Sequence, residues 1–167
     1  VEIQSGIQFY DGITTAEIQE ILIRSASDLI SLDNPNYQYV AARLLLYAIR
    51  KSLYGRLWEL PHLYDHITDC IEKDVYDADI LVKYTREEIE TLNDIIDHGR
   101  DFIFTYAGLR QVADKYLVQD RSSGKVYETP QFMYLLIAMT IFADYPQETR
   151  LDYVTRYYTA ISKHRIN

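Results

Sequence analysis

The chain has 167 residues, 48% of them hydrophobic, with 25 Asp and Glu against 17 Lys and Arg and a formal net charge of −8. That length accommodates one domain or one and a fraction, burying roughly 70% of the unfolded surface. The acidic balance disfavours binding to nucleic-acid backbones or anionic membranes, both of which need clustered Lys and Arg.

Residues 1–12 read as a helix closed by Gly12. Thr14-Thr15-Ala16-Glu17 is a capping-box pattern, and Ile18, Ile21, Leu22, Ala26, Leu29 and Ile30 follow at helical spacing. This helix is expected to stop before the turn cluster Asp33-Asn34-Pro35. A second helix is predicted over 37–53, with Val40, Leu44, Leu45, Ala48 and Ile49 on one face and Gly55 ending it. After an irregular stretch to Leu60, Pro61 suits a helix first turn, and Leu63, Ile67, Cys70 and Ile71 form the apolar stripe. A short helix is predicted over 77–84. Thr85-Arg86-Glu87-Glu88 is a second capping box opening a helix to about Asp97, and 106–116 is helical again. The β signal is 116–119 with 125–128, joined by Asp120-Arg121-Ser122-Ser123-Gly124. Thr129-Pro130 opens a core helix through Phe132, Leu135, Leu136, Met139 and Phe142. Tyr145-Pro146 breaks the chain, and 147–163 closes it as an amphipathic helix. The fold class is therefore mostly α with one β-hairpin.

Cys70 is the single cysteine, which rules out a disulfide within the chain and a cysteine zinc cluster, and fits a reducing compartment such as the cytoplasm. No leader pattern occurs, and the longest apolar run, 132–142, is too short to span a bilayer. With no Met before Val1 and no stop signature at Asn167, the sequence is expected to be part of a longer polypeptide.

His62 and His66, four apart with Asp65, Asp69 and Cys70 nearby, could share a helix face suited to a transition metal. The zincin glutamate frame is missing, and a polar helix face with a half-buried histidine is the preferred account. Asp97-His98-Gly99-Arg100-Asp101 could hold an acid/base pair. The preferred account is a helix end, with His and Arg satisfying carbonyls and Asp101 paired to Arg100. The 16 tyrosines are read as packing residues with polar tips, and Cys70 as packing too. No phosphate loop, dinucleotide fingerprint or nucleophile elbow is present. These observations alone define an acidic helical domain.

The chain also resembles class I ribonucleotide reductase large subunits of bacterial and viral type, with collinear motifs over nearly its whole length. These are Phe9-Tyr10-Asp11-Gly12-Ile13-Thr14-Thr15, Tyr37-Gln38-Tyr39-Val40-Ala41-Ala42-Arg43, Arg50-Lys51, Tyr54-Gly55, Leu63-Tyr64-Asp65-His66, Lys115-Tyr116-Leu117-Val118, Glu128-Thr129-Pro130-Gln131-Phe132, and Tyr145-Pro146-Gln147-Glu148-Thr149-Arg150-Leu151. The resemblance implies that residues 1–55 are the C-terminal part of an ATP-cone-like regulatory domain, and that 56–167 are the N-terminal helical domain bracing a catalytic α/β barrel. It implies an allosteric site for ATP or dATP at Thr15, Ile18, Gln19, Tyr47 and Lys51, with Lys51 offering its ammonium to the triphosphate. Gln19 stands where related enzymes have histidine. The opening hairpin and first helix, with a Lys-Arg phosphate motif, would lie upstream, and the catalytic cysteines downstream. This segment is therefore expected to lack catalytic residues, metal and catalytic cofactor, and to be inactive alone. The implied partners are the rest of the large subunit, a small radical-generating subunit, and thioredoxin or glutaredoxin, in an oligomeric cytoplasmic enzyme that reduces ribonucleoside diphosphates. The rival readings are a stand-alone helical nucleotide sensor and a protein-interaction module.

Overall fold

The computed structural model describes residues 10–166. The helix expected over 1–12 lies outside the described residues apart from 10–12, which form a turn with Gly12 at φ +89°. The chain divides into two compact units, residues 1–57 with 101–116 and residues 58–100 with 117–167.

The first unit is built on α1 (Thr15–Asp28), α2 (Tyr37–Tyr54) and α6 (Tyr106–Lys115), with α2 packed against both others. Thr14 caps α1 through the expected box: its hydroxyl accepts from the Glu17 N–H, and the Glu17 carboxylate accepts from the Thr14 N–H at 2.8 Å. Gly55 ends α2 in the left-handed region at φ +71°, where a Cβ would be strained. The predicted stripes are rotated. α1 stops at Asp28, so Ile30 is 39% exposed, and Ile23 and Ala26 are the buried apolar side chains of that helix. On α2 the buried set is Ala41, Ala42, Leu45, Leu46, Ile49 and Arg50, while Val40 is 39% exposed. A helix packed on two sides buries two adjacent rows, and the small Ala41 and Ala42 let neighbours approach closely.

The second unit contains α3 (Leu63–Glu72), α4 (Asp79–Lys83), α5 (Arg86–Asp94), α7 (Pro130–Ile141) and α8 (Gln147–Ser162), with α3 on α5, α7 on α8, and α5 touching α8. Pro61 precedes the cap rather than opening the helix, because His62 is extended and serves as the N-cap of α3. The second capping box forms as read, Thr85 with Glu88. α5 ends at Asp94, before the expected Asp97, and a 3-10 turn follows over His98–Ile103. The hairpin ladder is shorter than predicted: β1 (Gln119–Asp120) pairs with β2 (Lys125–Val126), with Gly124 at φ +70° in the turn. The Tyr127 N–H still donates to the Val118 carbonyl at 2.9 Å. Past it, the buried Glu128 side chain accepts the Val118 N–H at 2.8 Å, so a carboxylate takes over where the strand ladder stops. Pro130 sits in the first turn of α7, and Phe132, Leu135, Ala138 and Met139 are fully buried. On this helix only Ile137, Thr140 and Ile141 are exposed.

Candidate functional site

The five residues implied as effector contacts lie on the two helices α1 and α2. Thr15 is exposed in the first turn of α1, and Ile18 and Gln19 are half-buried one turn on. The Gln19 side-chain amide donates to the Leu44 carbonyl at 3.0 Å, tying α1 to α2 three residues before Tyr47. Tyr47 and Lys51 are four apart and share one row of α2, with the Lys51 ammonium 5.7 Å from the Tyr47 ring centroid. Lys51 is exposed and Tyr47 half-buried, so this row combines a cation with an aromatic face. The structure thus joins Tyr47 to Lys51 and Gln19 to the same helix. Thr15 and Ile18 lie three residues apart on α1.

One row away, Arg50 is 1% exposed and its Nη2 donates to Asp101 Oδ2 at 2.8 Å, with Asp101 itself 1% exposed. The Arg50 guanidinium also donates to the Leu57 carbonyl at 3.3 Å and lies 5.2 Å from the Phe102 ring centroid. This overturns the expected pairing of Asp101 with Arg100. Arg100 instead holds Asp97 at 3.2 Å, donates to the Ser162 hydroxyl and covers the Tyr158 ring. The 3-10 turn points these successive side chains in different directions, so neighbours in sequence do not meet.

The histidine pair separates. His62 Nε2 meets Glu90 Oε2 at 2.9 Å, whereas His66 is 2% exposed and stacked on Phe132 at 4.1 Å between centroids. Burial, opposed by Asp69 and assisted by His98 and Lys73, lowers the His66 pKa to about 4. Its Nε2 lies 3.2 Å from the Tyr76 hydroxyl, which donates to the Glu128 carboxylate. Burial raises the Glu128 pKa, against the bonds from Tyr76 and Val118. Among the described residues no group of three or more His, Cys, Asp or Glu could hold a metal ion. Cys70 is 1% exposed, and burial together with the Asp69 and Glu128 charges pushes its thiol up to about 11. No helix among the described residues is long and apolar enough to cross a membrane.

Sequence reasoning missed Arg50, Asp101 and the Glu88–Arg150 pair. A signal for the first existed: Ala42, Leu46 and Arg50 repeat every four residues, and the row is visible once the helix is phased on its alanines.

The residues 102–167 match the model of a family described as the ribonucleotide reductase all-alpha domain. The whole chain is 50% identical to the alpha subunit of ribonucleoside-diphosphate reductase from Haemophilus influenzae and 50% identical to the ribonucleoside-diphosphate reductase 1 alpha subunit of Escherichia coli, covering 22% of each. The alpha subunit from Enterobacteria phage T4 is 45% identical over 99% of this chain, again covering 22% of its own length. The chain belongs to the ribonucleotide reductase large-subunit family and corresponds to an N-terminal segment of the alpha subunit. It spans about a fifth of the length of the curated relatives it matches.

Proposed function

We propose that this chain is the regulatory and bracing front of a ribonucleoside-diphosphate reductase large subunit, an oxidoreductase that supplies deoxyribonucleotides for DNA synthesis. The observation that carries the reading is 50% identity, over every residue of the chain, to alpha subunits of that enzyme. Residues 1–55 act as the later helices of an ATP cone, and 56–167 act as the helical domain beside the catalytic barrel. ATP or dATP is the effector at Thr15, Ile18, Gln19, Tyr47 and Lys51. The exposed Lys51 ammonium over the Tyr47 ring supports this, since a phosphate chain needs a cation and a base needs an apolar face. Ile137 and Ile141, one turn apart on α7 and 37% and 50% exposed, support the bracing role. They offer apolar surface to the rest of the subunit.

The chemistry belongs to the other parts of the enzyme: the barrel with its cysteines, the small radical-generating subunit, and thioredoxin or glutaredoxin as reductant. Cys70, buried and held protonated, takes no part. The test is nucleoside diphosphate reduction by the full-length subunit with its small subunit and thioredoxin. ATP is expected to raise the rate and dATP to lower it, and Lys51→Met to remove both responses. No reduction in that mixture overturns the reading. The isolated chain is expected to reduce nothing and to bind ATP weakly. Micromolar binding by it alone would favour the stand-alone sensor.

A further inference from the structure

Arg50 is a charge buried beside the candidate effector row without belonging to it. Taking a guanidinium and a carboxylate out of water costs several kcal/mol per ion, and packed apolar residues commonly serve stability as well or better. An ion pair of this kind is therefore poorly explained as a source of stability. Its geometry suits another task. Successive residues of an α-helix are separated by about 100° around the axis and 1.5 Å along it, so fixing the direction of Arg50 fixes that of Lys51. Arg50 is held at three points, by Asp101, by the Leu57 carbonyl beyond the Gly55 cap, and by the Phe102 ring. Two of these anchors are consecutive residues of the 3-10 turn. A planar guanidinium held this way resists both rotation and sliding of the last turn of α2.

We propose that Arg50 and Asp101 are positioning residues for effector binding, setting the rotation of the last turn of α2 so that Lys51 and Tyr47 present one face to the nucleotide phosphates. This rests on the reading of Lys51 as an effector contact. The residue before Asp101 is Arg100, which binds Asp97, Ser162 and Tyr158 in the other unit.

The test is calorimetric titration of ATP into the full-length subunit, with thermal unfolding measured on every variant. Arg50→Met/Asp101→Leu removes both charges and fills the volume, so the melting temperature should stay near that of the wild type. ATP affinity should nevertheless fall at least tenfold. Ile49→Val, a neighbouring core change, should lower the melting temperature and leave affinity within twofold. A stable double variant that binds ATP like the wild type overturns the proposal while leaving the effector reading intact. If the wild type binds ATP and Lys51→Met binds it equally well, the effector reading fails and the positioning role with it. Should the double variant not fold, Arg50→Lys decides. It keeps the charge but loses the planar fork, and wild-type affinity there also overturns the proposal.

Discussion

Arg150 of α8 grips Glu88 of α5 with two nitrogens: Nε donates to Oε1 at 2.9 Å and Nη2 to Oε2, with both side chains 9% exposed. The guanidinium also lies 4.5 Å from the Tyr84 ring centroid, and Tyr84 donates to the Met139 carbonyl at 2.7 Å. Glu88 serves twice, closing the capping box of α5 and receiving Arg150. Arg150→Met strands a buried carboxylate and is expected to cost about 3 kcal/mol in urea unfolding. Burial alone would raise the Glu88 pKa, but the bonds from Arg150 and Thr85 outweigh it and hold the carboxyl below its ordinary 4.5. Its contribution is present above that value and is lost as pH falls through the lower folded value. The stability gap between wild type and Glu88→Gln should therefore persist down to the ordinary carboxylate range and close as pH falls below it.

His66 gives acid sensitivity in a higher window. Its folded pKa of about 4 lies below the ordinary 6.5, so between these values the unfolded chain binds more protons. Stability is therefore full above 6.5 and declines as pH falls toward 4, by at most about 3 kcal/mol. Urea midpoints from pH 7 to 4.5 should slope downward, and His66→Gln should flatten that slope. An equal slope in the variant would assign the effect to another group.

Cys70 should behave as a protected thiol. With its pKa near 11 and its Sγ donating to the Tyr127 carbonyl at 3.8 Å, it presents almost no thiolate at pH 8. A thiol reagent such as Ellman's should react at the rate of unfolding in the native protein and rapidly in urea. Fast native labelling would contradict the buried placement.

Tyr158 ties three segments of its unit together. Its hydroxyl accepts the Asp97 N–H at 2.9 Å and donates to Gln131 Oε1 at 2.8 Å. Tyr158→Phe withdraws both bonds from buried partners and should cost about 2 kcal/mol. Tyr157→Phe, at a half-buried neighbour whose ring packs on Phe142, should cost close to nothing. Both are read from chemical unfolding.

What the sequence revealed followed range. Both capping boxes, the Gly55 stop, the Gly124 turn and the Leu63, Ile67, Cys70 stripe depend on residues within a few positions of one another. The buried ion pairs join residues 51 and 62 positions apart, and no local pattern announces such partners. Sequence adjacency pairs Asp101 with Arg100, whereas its buried partner Arg50 lies 51 positions away. Val40 shares the apolar periodicity of its helix but is 39% exposed, because the buried rows run through Ala41, Ala42, Leu45, Leu46, Ile49 and Arg50. For the candidate site, periodicity accounts for Tyr47 and Lys51 sharing a row. Their link to a nucleotide comes from family resemblance, because a lysine above a tyrosine is also an ordinary surface pairing.

α7 leaves a pattern that a saturation mutagenesis library would read directly. Nine of its twelve residues are enclosed and three face outward. Substitution should be permitted in a sparse rhythm at 137, 140 and 141 and refused elsewhere along the segment. If the proposed bracing role holds, polar replacements of Ile137 and Ile141 should be accepted in a screen for folding and rejected in a screen for assembly with the rest of the subunit. An equal outcome in the two screens would leave the exposed face of α7 without a docking role.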